Sequence, residues 1–343
     1  MDKENILNAL KNVKYPGYSR DIVSFGLVKG IKAENGKAEI TLSLTTNNAE
    51  IINQLRKDCE SAILNIPGIK EVVVEISHPN QQHSQQNPWA GQTRIKDVKY
   101  VIAVASGKGG VGKSTCSVNI ACALKHLGLE VGLLDCDIYG PTIPLMMGVK
   151  QQPFIENDKL QPIISHGVKL MSIGFLIEDD APVIWRGPLI MKVIQQFLHE
   201  VDWGRLDYLI VDLPPGTGDA QLSLCQNVPL DGGIIVTTPQ EASLGVVRKG
   251  IAMFEKVNVK ILGIIENMSY FITPTGERVE IFGNGGGRSE ANRRGIPFLG
   301  EVPIFTEIRI SGDKGVPVVV SDPDKPPAQA FINIAREIHK HLA

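Results

Sequence analysis

The stretch SGKGGVGKST, residues 106–115, decides the fold of this chain. Residues 107–114 match the pattern G-x-x-x-x-G-K-[ST] of a phosphate-binding loop. The apolar run YVIAVAS (100–106) precedes the pattern, and the helix-like run STCSVNIACALKHLG (114–128) follows it. A loop between such a strand and such a helix turns successive backbone N–H groups toward phosphate oxygens, and the helix N-terminus favours their negative charge. The stretch therefore predicts a P-loop protein that binds a nucleotide.

We expect the whole loop to contact ATP, with Mg²⁺ beside it. The candidate nucleotide-binding residues in the loop are Gly107, Lys108, Gly109, Gly110, Val111, Gly112, Lys113, Ser114 and Thr115. Lys113 stands where P-loop proteins contact the β- and γ-phosphates, and Ser114 stands where they ligate Mg²⁺. The pattern requires one lysine only, so Lys108 needs an explanation of its own.

Carboxylates end two of the apolar runs that resemble strands. Asp212 ends LDYLIVD, at the strand edge beside the loop, and is a candidate metal residue that holds a Mg²⁺-bound water. Asp135 and Asp137 end VGLLDCD. Either one of them faces the attacking water, or both cap the next turn. The segment DLPPGTGDAQ (212–221) has the proline and glycine content of a switch that responds to the γ-phosphate.

Short runs rich in Val, Ile and Leu predict the buried strands of a mostly parallel sheet. These runs are VKYVIAVAS (98–106), EVGLLDCD (130–137), VKLMSIG (168–174), LDYLIVDLP (206–214), DGGIIVTTP (231–239) and VKILGIIEN (259–267). Helix-like stretches separate most of them, as in a sheet that is covered on both faces. We therefore predict a doubly wound α/β P-loop NTPase domain over residues 97–343.

Residues 1–77 predict a small α+β domain of their own. Helical spacing occurs in ENILNALKNV (4–13) and AEIINQLRKDCESAILNI (49–66), and strand patterns occur in KAEITLSLTT (37–46) and KEVVVEIS (70–77). Residues 78–96 are polar and rich in amides, which predicts a linker. His78 and His83 lie in it without neighbouring thiols or carboxylates, so we expect them to be solvated rather than bound to a metal.

Composition narrows the classes of partner and compartment. The chain has 343 residues and a net charge of −2, so nucleic acid is not an expected partner. No apolar run reaches the length of a membrane span, and the N-terminus lacks a secretory signal pattern, so no membrane partner is expected. The five cysteines are scattered and form no C-x-x-C pair, which favours a reduced, cytoplasmic protein.

The loop with its two lysines resembles the deviant Walker A loop of the nitrogenase iron protein, MinD and ParA class of ATPases. In that class the extra lysine, here Lys108, crosses a dimer interface and contacts the nucleotide of the other subunit. The resemblance implies a homodimer that encloses two ATP molecules and hydrolyses them with Mg²⁺. It also implies three catalytic residues: Lys108, Lys113 and Asp137, with Asp137 activating the water.

Further motifs resemble the Mrp/ApbC iron–sulfur carrier ATPases. They include LLDCDIYGPTIPLMMG (133–148), DYLIVDLPPGTGDAQLSL (207–224), IIENMSYF (264–271) and SGDKGVPVV (311–319). Residues 1–77 resemble the MIP18-type domain that often precedes such ATPases. The resemblance implies ATP-dependent delivery of iron–sulfur clusters to apoprotein clients, and it places Asn267 near the adenine.

The chain departs from that family where cluster cysteines are expected. Many members carry C-P-x-C after ENMS, but Thr273 and Thr275 stand near those positions here. Threonine hydroxyls are poor ligands for iron–sulfur clusters. Cys225 is the remaining candidate thiol, and a core position explains it better. A [4Fe–4S] cluster is therefore an expectation without identified ligands.

Other functions stay open at this point. A spatial organiser of the MinD or ParA kind would bind membrane or DNA, and the helical stripe of residues 326–343 suits a membrane surface. The stripe comprises Phe331, Ile334, Ala335, Ile338 and Leu342. A terminal helix that packs on its own sheet shows the same stripe and is commoner. An assembly scaffold that holds no cluster, and an electron-transfer protein, are the further alternatives.

Overall fold

The computed structural model describes most of the chain in two separate units, residues 1–90 and 91–343. The described residues are 3–14, 16, 21–24, 27–34, 36–43, 49–69, 71–77, 94–138, 140–176, 187–216 and 218–342. Most of the predicted linker, including His78 and His83, lies outside them.

The N-terminal unit is a three-stranded sheet with two helices. Its elements are α1 (Lys3–Leu10), β1 (Val28–Glu34), β2 (Lys37–Ser43), α2 (Ala49–Leu64) and β3 (Glu71–Ser77). Strand β2 lies between the other two, antiparallel to β1 and parallel to β3. Alternation along β2 buries Ile40 and Leu42, which share a core with Leu55 of α2. The predicted α+β class of this unit is confirmed.

The second unit is built on a nine-stranded sheet. Its strands, with the separate hairpin β6–β7, are β4 (Val98–Ser106), β5 (Val131–Asp135), β6 (Phe154–Glu156), β7 (Lys159–Gln161), β8 (Ile163–Ser165), β9 (Val168–Ser172), β10 (Leu206–Asp212), β11 (Gly232–Thr237), β12 (Ile261–Ile272), β13 (Arg278–Val279) and β14 (Phe298–Ile304). The strand order is β13-β12-β11-β4-β10-β5-β9-β8, with β14 on β12. All neighbours are parallel except β13 with β12 and β8 with β9.

Helices cover both faces of this sheet. They are α3 (Lys113–His126), α4 (Ile143–Met146), α5 (Gly187–His199), α6 (Asp219–Asn227), α7 (Glu241–Lys256), α8 (Gly286–Arg294), α9 (Thr306–Asp313), α10 (Val318–Ser321) and α11 (Pro326–Leu342), with a 3₁₀ turn at Ile173–Leu176. Ile102 and Val104 of β4 share one core with α3 and α11, whereas α7 packs on β4 and β11 with residues outside that core. The doubly wound, mostly parallel sheet is confirmed.

The C-terminal helix turns its apolar stripe inward. Phe331, Ile334, Ala335 and Ile338 are all buried, and α11 packs on α3 and β14. The stripe is thereby used within the fold, so the helix does not offer it to a membrane surface. No helix in the described part of the chain has the length and apolar character needed to cross a membrane.

Candidate functional site

The phosphate loop connects β4 to α3 and depends on glycine at defined positions. Gly110 and Gly112 have φ angles of 79° and 81°, in the left-handed region that favours glycine. A Cβ atom on Gly107 would lie 2.5 Å from Cγ1 of Val246, and one on Gly112 would lie 2.2 Å from Nδ2 of Asn267. The backbone is thus free to turn its N–H groups toward a ligand above the first turn of α3.

Four of the predicted site residues meet at the end of this loop. The Lys113 ammonium donates a hydrogen bond to Oδ2 of Asp212 at 2.5 Å and lies 3.6 Å from Oδ2 of Asp137. Ser114 Oγ donates to the same Asp212 oxygen at 2.7 Å. Lys113 is 5% exposed and Asp212 is fully buried. The carboxyl edges of β5 and β10 and the start of α3 therefore form one charged cluster.

Ser117, which no sequence pattern marked as a site residue, also bonds to this cluster. Ser117 Oγ donates to Oδ1 of Asp212 at 2.6 Å and lies 3.2 Å from the carbonyl oxygen of Lys113. Ser117 is completely buried, one helical turn after Lys113. The position of Ser117, one turn after the loop, could have indicated a site residue. A serine in an apolar helix can equally bond to a backbone carbonyl of the same helix, so the position alone did not decide between the two.

The two acids that end β5 have different environments. Asp135 is buried and accepts hydrogen bonds from Ser172 Oγ at 2.8 Å and from the backbone N–H of Asp137 at 3.0 Å. Burial and the nearby charge of Asp212 raise the pKa of Asp135 to about 7. Asp135 thus caps the turn, whereas Asp137 faces Lys113. The capping interpretation thus applies to Asp135, whereas the role of Asp137 toward an attacking water stays a prediction.

The donor set of the cluster suits Mg²⁺ together with a phosphate. Asp137, Asp212 and the Ser114 hydroxyl offer hard oxygen ligands, which Mg²⁺ prefers. Lys113 is the cation that pairs with Asp137 and Asp212 in this cluster, so negative charge remains for a divalent ion. Among the described residues no three His, Cys, Asp or Glu side chains converge on one metal position. The residues therefore fit a metal ion that is bound partly through phosphate oxygens.

Asp135→Asn tests the electrostatics of the nucleotide-free cluster. Because the pKa of Asp135 is raised in the folded state, the carboxyl contributes stability below about pH 4 that is lost as the pH rises through about 7. At pH 8 we expect the free energy of unfolding of Asp135→Asn, measured with urea, to exceed that of the wild type by on the order of 2–4 kcal/mol. Near pH 4 the two free energies should be equal. The control Asp158→Asn, in the exposed turn of the β6–β7 hairpin, should follow the wild type at every pH. Parallel curves for wild type and Asp135→Asn would contradict the assignment.

An apolar cavity of about 470 Å³ opens beside the loop. Its lining includes Gly112, Thr115, Met146, Asn267, Met268, Pro303, Ile304, Phe305 and Ile308. Its size is typical of small-ligand pockets. Asn267 donates from Nδ2 to the carbonyl oxygen of Val111 at 2.8 Å. The side chain thus connects the cavity wall to the phosphate loop.

Lys108 is not part of the charged cluster. Its ammonium donates to Oε1 of Gln240 at 3.1 Å, and Gln240 precedes the first turn of α7. Within one chain the two lysines of the loop therefore have separate partners. No local pattern in the sequence marks Gln240 as the partner of Lys108.

Within the described part of one chain, the five cysteines do not gather into a metal site. All five are buried. Burial raises the pKa of Cys59, Cys122 and Cys225 to about 12, and raises the pKa of the thiols of Cys116 and Cys136 as well, so thiolates are disfavoured. The described thiols therefore do not offer a ligand set for an iron–sulfur cluster.

The hydroxyls at the expected ligand positions meet at the surface. Thr273 and Thr275 place their Oγ1 atoms 2.8 Å apart in the exposed turn between β12 and β13. These groups are oxygen donors, which suit an iron–sulfur cluster less well than thiolates do. The turn thus occupies the position of the C-P-x-C motif but offers hydroxyls where that motif has thiols.

Comparison with known proteins places the chain in a family. The model of the NUBPL iron-transfer P-loop NTPase family matches residues 97–339, and a model described as iron–sulfur cluster assembly protein matches residues 3–76. An iron–sulfur cluster carrier protein of Synechocystis sp. is 45% identical over 97% of this chain and 96% of its own length. The iron–sulfur cluster transfer protein NUBPL of Dictyostelium discoideum is 49% identical over 77% of this chain and 83% of its own. The chain belongs to the NUBPL iron-transfer P-loop NTPase family.

Solved structures agree with this assignment. A nucleotide-binding protein of Archaeoglobus fulgidus in complex with ADP is 40% identical, with a TM-score of 0.61 over 70% of this chain and 94% of its own. The cell-division ATPase MinD of Pyrococcus furiosus is 22% identical, with a TM-score of 0.55 over 70% of this chain and 98% of its own, and shares the fold. The resemblance to this class of P-loop NTPases is confirmed.

Proposed function

We propose that this protein is a Mg²⁺-dependent ATPase that works as a homodimer in the delivery of iron–sulfur clusters to apoprotein clients. The observation that carries the proposal is the pairing of Lys113 with Asp212 and Asp137 beneath a loop that matches the P-loop pattern. Relatives named as iron–sulfur cluster carriers support the cargo, since their similarity extends over nearly the whole chain. We assign the domains to residues 1–77 and 97–343, with a linker at 78–96.

The chemistry follows from the charged cluster. With ATP bound, Lys113 would contact the β- and γ-phosphates in place of Asp212, and Ser114 and Asp212 would be the residues that hold the metal ion. Mg²⁺ bound there would neutralise charge on the phosphate oxygens. Asp137, 3.6 Å from Lys113 in the nucleotide-free cluster, accepts a proton from the attacking water. Ser117 keeps the Asp212 carboxylate oriented throughout.

We assign the nucleobase to the apolar cavity beside the loop. The cavity has the volume for a purine, and Gly112, Thr115 and Asn267 lie both in its wall and at the loop. Asn267 would lie near the adenine while its amide holds the carbonyl of Val111. Base binding and the shape of the loop are thereby linked through one side chain.

The five buried thiols do not explain how an iron–sulfur cluster would be held. We expect Cys225→Ser to take up the same amount of iron and acid-labile sulfide as the wild type after anaerobic reconstitution, because Cys225 is buried with a raised pKa. About four irons per dimer in both proteins would indicate a carrier whose ligands lie elsewhere, in a client or a small thiol. Loss of iron in Cys225→Ser alone would contradict this expectation.

A second candidate function has specific support from the same thiols. An assembly ATPase that acts on client proteins without holding a cluster needs no exposed cysteine, which agrees with the burial of all five. Absence of iron from both proteins in the reconstitution would favour this function over the carrier.

A further inference from the structure

The side chain of Gln221 is buried with both of its polar atoms unpaired. The residue is 2% exposed, and neither Nε2 nor Oε1 has a hydrogen-bond partner. Across the part of the chain that the structure describes, these are the only buried side-chain nitrogen or oxygen atoms without one. A buried amide without partners is destabilising, whereas an apolar side chain of the same size would not be. The position therefore points to a second conformation in which the amide is paired.

Gln221 lies in the first turn of α6, directly after the predicted switch segment. Gly216 in that segment has a φ of 105° and donates its N–H to the carbonyl oxygen of Ser106 at 2.9 Å, so the segment contacts the end of β4 beside the phosphate loop. The segment starts at Asp212, the acid that accepts from Lys113. The segment thus connects the charged cluster at the phosphate loop to the start of α6 along a short stretch of chain.

Gln221 belongs to the buried face of α6. Gln221, Leu224, Cys225 and Val228 are all buried at helical spacing, so they share one face. Cys136 donates its backbone N–H to the carbonyl oxygen of Asp212 at 2.9 Å, so the loop after β5 lies beside the start of the segment that leads to α6. Cys136 directly precedes Asp137 in the chain. Gln221 lies in the first turn of α6, directly after that segment.

We propose that Gln221 is a positioning residue of the nucleotide-bound state, in which its amide pairs with the backbone of the loop after β5 and fixes Asp137. The amide can donate to a carbonyl oxygen and accept from an N–H of that loop at once. The unpaired amide is locally destabilising, and nucleotide binding would relieve this by supplying both bonds. The inference rests on the proposed nucleotide site.

Gln221→Met separates this role from a purely structural one. Without nucleotide the variant should melt about 2–4 °C above the wild type, because the unpaired amide is gone. With MgATP the wild type should gain stability, and the variant should gain clearly less. Because Asp137 loses its orientation, kcat for ATP hydrolysis by the variant should fall about tenfold, and its affinity for MgATP should fall in step with the smaller gain in stability. The control Gln151→Met, at an exposed position outside α6, should match the wild type in all three measurements.

The possible outcomes separate a failure of this inference from a failure of the proposed nucleotide site. A Gln221→Met variant that melts below the wild type without nucleotide, or does not fold, shows an amide that is already paired and overturns the inference. A variant that melts higher but gains as much from MgATP as the wild type also overturns it. A wild type that gains nothing from MgATP overturns the proposed nucleotide site, and the inference falls with it.

Discussion

Lys113→Ala is expected to produce the largest loss of both stability and nucleotide affinity. The ammonium is the partner of Asp212 and Asp137 in a cluster that is almost closed to solvent. Removing one member of a buried ion pair costs about 3–5 kcal/mol, because the remaining charges stay buried. The same ammonium is assigned to the phosphates, so ATP affinity should fall about 100-fold. Urea unfolding without nucleotide and titration with MgATP measure the two effects.

A matched control lies at the other end of the same helix. Lys125 pairs with Glu130 at 2.7 Å, but both side chains are partly exposed. Lys125→Ala should therefore change stability by less than about 1 kcal/mol and leave ATP binding unchanged. A Lys113→Ala protein as stable as Lys125→Ala at pH 7.5 would contradict the buried cluster.

Lys108→Ala is expected to abolish most hydrolysis while ATP still binds. Lys108 lies outside the charged cluster and contacts Gln240 within its own chain. If it acts on the nucleotide of a partner subunit, it stabilises charge in the transition state only, as an arginine finger does, and its loss costs about 1,000-fold in kcat. The affinity for MgATP should change by less than about threefold. Steady-state hydrolysis and equilibrium binding separate the two quantities.

Gln240→Ala is the companion variant. It removes the contact of Lys108 within the chain but keeps the lysine, so hydrolysis should stay within about threefold of the wild type. An equal loss of ATP affinity in Lys108→Ala and Lys113→Ala would show that both lysines bind the same nucleotide directly. The role in a partner subunit would then be wrong.

The phosphate loop and the strands beside it could be predicted because their residues obey local rules. Gly110 and Gly112 adopt the left-handed φ angles that the motif requires, and the continuous apolar runs became the central strands. Asp212 ends β10 and Asp137 follows β5 by two residues, and the two lie close together because parallel strands bring their carboxyl ends to one edge of the sheet.

Other features depend on contacts between distant parts of the chain. Ser117 and Gln240 have polar side chains whose partners lie 95 and 132 positions away, which no local pattern reveals. Strand β14 was not predicted because Pro303 and Gly300 interrupt its apolar pattern, yet pairing with β12 holds it in the sheet. The burial of Gln221 is likewise a tertiary property, because its neighbours along α6 include exposed positions.

The most direct test of the account is whether two inactive variants restore each other. Lys108→Ala and Asp137→Asn should each bind ATP but hydrolyse it poorly. Lys108→Ala lacks the lysine that acts on the nucleotide of the partner subunit, and Asp137→Asn lacks the acid that acts on its own nucleotide. In a mixed dimer, the nucleotide site on the Lys108→Ala subunit has Asp137 and receives Lys108 from the other subunit. An equimolar mixture should therefore recover about a quarter of the wild-type rate, since half of the dimers are mixed and each has one complete site. A mixture no more active than the separate variants would contradict a Lys108 that acts across a dimer.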